Sequence, residues 1–207
     1  MTKQVLGILV SGRGSNLQSI FDAIQAGRLD AKIGLVLSDN PEAQALKRVA
    51  GFGIPTAVVQ RSAYKSKQEF EQALLGELEA HHVDLVVLAG FMRILSPGLV
   101  NSFSGRIMNI HPSLLPSFPG LDPQEQALQH GVKVSGCTVH LVDEGTDSGP
   151  IILQEAVPVL DTDTAETLAA RILQVEHVLY PRAIQLFCSG RLVVEGRRVK
   201  IAEQQEE

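Results

Sequence analysis

Short apolar runs alternate with helically spaced apolar residues through the first half of the chain, and no other feature restricts its fold as much. Val5 to Val10 reads as a buried strand. It feeds a glycine-rich turn, Ser11-Gly12-Arg13-Gly14-Ser15-Asn16, after which Leu17, Ile20, Phe21 and Ile24 recur at helical spacing and Gly27 marks a stop. Ile33 to Leu37 is a second strand. Pro41 opens a short helix that ends near Gly51 to Gly53, and Thr56 to Val59 forms a third, edge-like strand. Phe70, Leu74, Leu75 and Leu78 mark a helix of roughly four turns, followed by apolar strands at Asp84 to Leu88 and Ile107 to Ile110. Continuous apolar strands separated by helices predict an α/β fold of Rossmann-like type, a mostly parallel, twisted sheet with helices on both faces.

The texture changes from about Val132. Val134 to Val142 and Ile151 to Val157 are longer strands on either side of the loop Asp143-Glu144-Gly145-Thr146-Asp147-Ser148-Gly149. Thr164 to Cys188 reads as one long helix that Pro181 should kink or split. Arg191 to Val194 and Val199 to Ile201 flank Glu195-Gly196-Arg197-Arg198 as a terminal hairpin, which gives the fold an antiparallel C-terminal portion. The polar tail Glu203 to Glu207 should fray. There is no repeat, linker or low-complexity segment. The 207 residues are therefore expected to form one domain, 1–207, with halves of about 1–105 and 106–192 and a hairpin and tail at 191–207.

Composition narrows the functional classes. A net charge of −5 argues against nucleic-acid binding as the main task, because such binding leaves a basic footprint. Cys137 and Cys188 form neither a metal-type pair nor a disulfide framework, which points to a reducing compartment. The apolar run after Met1-Thr2-Lys3-Gln4 is only six residues, too short for a signal-peptide core or a membrane span. A soluble, cytoplasmic protein is expected.

The segment Met108 to Pro116 carries the most chemistry. Asn109 and His111 are two residues apart where an apolar strand breaks into a loop, so their side chains point to one side. Two such groups can converge on one substrate oxygen and stabilise an oxyanion during acyl transfer. Asn-x-His before Pro can equally cap a strand and begin a turn. The turn Gly12 to Asn16 opens a helix whose unpaired N–H groups would suit a phosphate, or Ser15 or Asn16 simply caps that helix. The third glycine of a dinucleotide fingerprint is replaced by Leu17, so NAD is a poor fit despite Asp39 after the second strand. Asp143, Glu144 and Asp147 are either solvated turn charges or the source of a carboxylate that fixes the His111 tautomer and favours its protonated form. His140 lines the site or is a satisfied core histidine. His81 and His82 read as structural or solvated, His130 as exposed, and His177 does not share a helix face with Glu176. No metal-ligand spacing occurs, so no metal is expected, and neither Ser113 nor Ser148 lies in a nucleophile-elbow sequence.

Five stretches, SGRGSNLQ, AGFMRILSP, NIHPSLLPSFPG, GCTVHLVDEGTDSGPIILQ and QVEHVLYPRAI, occur in order between about Val5 and Leu192. Together they resemble the phosphoribosylglycinamide formyltransferases, folate-dependent enzymes of purine (IMP) synthesis. The resemblance implies a single-domain formyltransferase fold with a phosphate-binding first half and a folate-binding, catalytic second half. It implies formyl transfer from 10-formyltetrahydrofolate to the amine of glycinamide ribonucleotide, giving the N-formyl product and tetrahydrofolate. Asn109, His111 and Asp147 would be the catalytic trio. Gly14, Ser15 and Asn16 would hold the phosphate and Glu176 the ribose hydroxyls. Met92, Arg93, Ile94 and Leu95 would line the folate pocket, with Asn109, Val142, Asp143, Glu144 and Asp147 also contacting folate and Lys67 meeting its glutamate tail. The partners implied are these small molecules, with no nucleic acid or membrane, in a monomer or homodimer.

The chain departs from that pattern after Pro119-Gly120-Leu121, where Asp122-Pro123-Gln124 stands in place of a histidine that many relatives carry. This puts any pH-dependent ordering of the loop at roughly 113–131 in doubt. Rival readings are an amino-sugar formyltransferase, a formyltetrahydrofolate hydrolase and, in a different class, a silent ligand-binding domain. The additional terminal domains of the tRNA and hydrolase branches are not expected, since the first strand starts at Val5 and about 15 residues follow Leu192.

Overall fold

A computed structural model describes residues 3–203. The polar tail expected to fray lies, beyond Glu203, outside the described residues. The chain divides into two compact units, one reaching to Met108 and one beginning at Asn109.

The first unit is a run of βα alternations. It contains β1 (Gln4–Val10), α1 (Ser15–Gln25), β2 (Ala31–Ser38), α2 (Gln44–Val49), β3 (Thr56–Val58), α3 (Lys67–Ala80), β4 (Leu85–Leu88) and α4 (Pro97–Ser102). Its strands run in the order β3-β2-β1-β4, and the β1–β2, β1–β4 and β2–β3 pairings are all parallel. Leu6, Ile8, Leu9 and Val10 of β1 and Leu85, Val86 and Val87 of β4 have no exposed surface, so both faces of these central strands are covered. That is why their sequences are continuous apolar runs rather than alternating ones.

β5 (Ile107–His111) leads into the second unit, which continues with α5 (Pro123–Gln129), β6 (Val134–Leu141), β7 (Ile151–Pro158), α6 (Ala165–Cys188), β8 (Leu192–Glu195) and β9 (Arg198–Ile201). The order β5-β6-β7-β9-β8 includes the antiparallel pairs β6–β7 and β8–β9, and β7 meets β9 in parallel. The α/β class, the mostly parallel sheet and the antiparallel C-terminal portion follow the expectation from the sequence.

Three local expectations are corrected. Pro41 lies in a turn, and α2 starts only at Gln44. Of the two outcomes expected at Pro181, a kink or a split, the split does not occur, and α6 is continuous over 24 residues. An internal proline costs a helix about 3 kcal/mol, but this helix buries Leu168, Ile172, Leu179 and Ala183 along one side and Ile184 as well. Each buried leucine or isoleucine contributes about 1.5–3 kcal/mol, so the packed face outweighs the local penalty. The helix also begins at a capping box, in which Thr164 and Thr167 satisfy each other's backbone N–H. Lastly, α4 and α5 go beyond the helices expected from periodicity, although Ser96-Pro97 and Asp122-Pro123 both place proline at the first helical position after a capping-type residue.

Candidate active site

The second unit gathers four polar side chains at the C-terminal end of β5. Asn109 and His111 share one side of that strand, as the period of two requires. His140 enters from β6, and Asp147 from the loop that connects β6 to β7. The His111 Nδ1 lies 3.4 Å from Asp147 Oδ2, and His140 Nε2 lies 3.7 Å from Asp147 Oδ1. The Asn109 Nδ2 is 3.3 Å from His140 Nε2. His111 and His140 are both buried.

Backbone groups complete the arrangement, and residue-type reasoning could not have found them. The His111 Nε2 sits 2.8 Å from the Phe118 carbonyl oxygen. A carbonyl can only accept, so Nε2 carries a hydrogen. The Gly120 N–H donates to Asp147 Oδ2 at 2.9 Å. Phe118 and Asp147 both adopt positive φ, 54° and 51°, which costs a non-glycine residue about 1–2 kcal/mol. This strained backbone directs a carbonyl and an amide of the 117–120 turn at the two groups best suited to proton transfer. Thr138 fastens the start of the same loop, donating to the Ser113 carbonyl at 2.7 Å and accepting from Leu115 N–H at 3.0 Å.

Asp143 is a structural hub of its loop rather than an open carboxylate. Its Oδ1 accepts from Ser148 Oγ at 2.7 Å and from Gly145 N–H at 3.1 Å. Val142 and Glu144 occupy the same loop and are half-buried and exposed. Glu176 is buried on α6. Burial, reinforced by Glu176 and Glu155, pushes the Cys137 thiol up to about 12, so it is no nucleophile near neutral pH. Neither Cys137 nor Cys188 is in a disulfide. His130 is exposed and lies against the Phe118 ring at 5.2 Å, and His81 and His82 follow the C-terminal end of α3. Asp122 precedes α5 in a left-handed conformation.

In the first unit the glycine-rich turn ends at Gly14, which adopts φ 71° and precedes α1 with no side-chain cap on the helix. Ser15 and Asn16 lie inside the helix and do not cap it. A methyl group on Gly14 would stand 2.5 Å from Ala45 Cβ, so both the positive φ and the packing require glycine. A second network is only half visible in the sequence. Asp39 pairs with Arg93 through one oxygen and accepts from Ser11 Oγ at 2.7 Å through the other, while Ser11 Oγ accepts from Met92 N–H at 3.0 Å. These contacts tie the Met92–Leu95 segment to the end of β1 and commit Asp39, the residue that might have suggested a nucleotide ribose site. Met92, Arg93 and Ile94 are exposed and Leu95 is buried. A cavity of about 580 Å³ opens beside Arg93, Asp39, Asn40 and Arg61. Lys67 begins α3, half exposed, with its Nζ 3.8 Å from Glu71. Sequence reasoning missed Glu71, a buried carboxylate that accepts from Ser96 N–H at 2.7 Å and so anchors the end of the 92–95 segment.

No group of three or more histidine, cysteine or carboxylate side chains among the described residues could hold a metal. Among the same residues, no helix is long and apolar enough to cross a membrane.

An amide and an imidazole grouped with a carboxylate can hold an oxyanion as acyl transfer requires, and the formyl transferase family model matches residues 4–184. The match narrows within that class. The chain is 44% identical to the phosphoribosylglycinamide formyltransferase of Bacillus subtilis over 86% of its own length and 91% of that protein's. The crystal structure of glycinamide ribonucleotide transformylase 1 from Symbiobacterium toebii superposes with a TM-score of 0.95 at 52% identity, covering 97% of this chain and 95% of that one. This chain belongs to the phosphoribosylglycinamide formyltransferase family. It is also 46% identical over 99% of its length to the human trifunctional purine biosynthetic protein adenosine-3. The chain spans a fifth or less of the length of such trifunctional relatives.

Proposed function

We infer that this chain transfers the formyl group of 10-formyltetrahydrofolate to the primary amine of glycinamide ribonucleotide, as a cytoplasmic enzyme of purine synthesis. The observation that carries this reading is the cluster of Asn109, His111 and Asp147, in which an amide and an imidazole share one strand face beside a carboxylate.

The amine lone pair attacks the formyl carbon, a carbon–nitrogen bond forms, and the carbonyl electrons move to oxygen. Asn109 N–H and protonated His111 hold that oxyanion. On collapse the bond from carbon to folate N10 breaks, N10 takes a proton with His111 as the general acid, and the former amine loses one through a water ordered by Asp147. The Phe118 carbonyl occupies His111 Nε2, so Nδ1, on the Asp147 side, is the nitrogen that exchanges the working proton. Gly14, Ser15 and Asn16 hold the substrate phosphate through helix-terminal N–H groups, and Glu176 accepts from the ribose hydroxyls. Met92, Arg93, Ile94, Leu95, Val142, Asp143, Glu144 and Asn109 contact folate, with backbone groups of the 143–147 loop meeting the pterin. Lys67 meets the glutamate tail as a point charge rather than a planar fork.

The Asp39 network gives an expected result. Asp39→Asn keeps an acceptor for Ser11 but removes the ionic partner of Arg93, loosening the 92–95 segment. A partly exposed charged hydrogen bond is worth about 1 kcal/mol, so the KM for the formyl donor should rise about fivefold with kcat within twofold. Steady-state kinetics with the donor varied checks this, and a loss confined to kcat would contradict the role.

Spectroscopic assay of purified protein with 10-formyltetrahydrofolate tests the function itself. Release of tetrahydrofolate only when glycinamide ribonucleotide is present is expected. Release without an acceptor would make the protein a hydrolase. Release only with an amino sugar would move the acceptor, and no release in any mixture would reduce the chain to a binding domain.

A further inference from the structure

Outside the proposed trio, His140 is a buried polar group of the second unit, and its surroundings assign it a task. The β6–β7 ladder is regular from Val134 to Val139 and shifts register between Val139 and His140, so that His140 faces Ile151 and Ile152 is passed over. Such bulges re-aim a side chain. The His140 Nδ1 then lies 2.9 Å from the Leu141 carbonyl oxygen. That oxygen can only accept, so Nδ1 bears the hydrogen. Burial pushes the His140 pKa down, against the opposing pull of the Leu141 carbonyl and of Asp147, and the ring is neutral near pH 7. A neutral ring with its hydrogen on Nδ1 presents a lone pair at Nε2. The atom facing that lone pair is the Asn109 amide nitrogen, at 3.3 Å.

We propose that His140 is a positioning residue, whose Nε2 lone pair holds one N–H of the Asn109 amide and leaves the other directed at the oxygen of the reacting formyl group. The proposal rests on the formyl-transfer reading for the identity of that oxygen. The two ends of an asparagine amide have nearly the same shape, so packing alone cannot choose between presenting a donor and presenting an acceptor. A hydrogen-bond partner with a defined tautomer can. Asp147 is not that partner for His140, because 3.7 Å separates its Oδ1 from Nε2 and both atoms are acceptors in this state.

The test combines kinetics with nitrogen spectroscopy. His140→Ala should lower kcat about tenfold, the upper range for one lost neutral hydrogen bond, with both KM values within twofold. His140→Gln, which can place an amide oxygen near the Nε2 position, should recover most of the loss. In an Asn109→Ala background, His140→Ala should cost less than a further twofold, because its effect passes through the missing amide. Long-range proton–nitrogen NMR of the wild-type protein should show His140 as the Nδ1–H tautomer at pH 7. Equal losses with and without Asn109, or an Nε2–H tautomer, would overturn the proposal. Absence of formyl transfer in the wild-type protein would instead remove the functional reading, and the tautomer would still be measured if a variant failed to fold.

Discussion

His111→Ala is expected to lower kcat by a factor of about 10²–10³, the usual cost of removing one oxyanion donor, while the KM for glycinamide ribonucleotide changes little. The contacts assigned to its phosphate and ribose lie on other residues. The substitution leaves the Phe118 carbonyl without its donor and opens space in a buried site. Asp147 keeps the Gly120 N–H, so the damage to stability should stay near 1–3 kcal/mol. At about 2–4 °C per kcal/mol for a chain of this size, the melting temperature should fall by roughly 2–12 °C with the fold retained. Steady-state kinetics beside a thermal melt separates the two effects. A folded variant within tenfold of wild-type turnover would end the proposed mechanism.

Gly149→Ala should be as damaging by a different route. A methyl group on Gly149 would overlap the carbonyl oxygen of Leu141, with the Leu141 carbonyl carbon at 2.9 Å and the Asp143 amide nitrogen at 3.2 Å. These are backbone atoms and cannot rotate aside. The neighbouring Leu141 N–H is also bound to the Pro150 carbonyl at 2.9 Å, which holds the two arms of the loop together. The strain should cost about 3 kcal/mol. It is relieved only by shifting the 143–149 loop, and with it Asp147. A displacement of about 1 Å at a catalytic group can cost about a hundredfold in rate, so kcat should fall by a similar factor in the protein that still folds. Gly76→Ala provides the contrast, since nothing lies near a methyl group there on α3 and the helix should gain about 0.5–1 kcal/mol. Chemical denaturation of the two variants measures the difference. Equal stabilities would show that the close approach at Gly149 carries no strain.

Much of the fold is legible in the residues alone. The run from Val5 to Leu88 is readable because the periodicities of helix and strand are local, and the central strands are apolar on both faces. The pairing of Asn109 with His111 on one side of β5 follows from the two-residue repeat. Pro181 misleads a local reading because helix propensity says nothing about a buried helical face. Asp143 and Asp147 look alike in sequence, yet Asp143 is consumed by Ser148 and Gly145 whereas Asp147 stands beside both histidines. Only the path of the loop distinguishes them.

By itself, then, the chain determined its class of fold and the strand that carries the amide and the imidazole, since both are written in spacing and residue type, and its five motifs carried the resemblance to its family. Tertiary structure decided which carboxylate meets His111, which of its nitrogens is occupied, and what His140 faces. Those outcomes depend on a main-chain carbonyl at Phe118, an amide at Gly120 and a register shift beside Val139. Every residue but proline carries the same carbonyl and amide, so only the folded path of the backbone can say where they point.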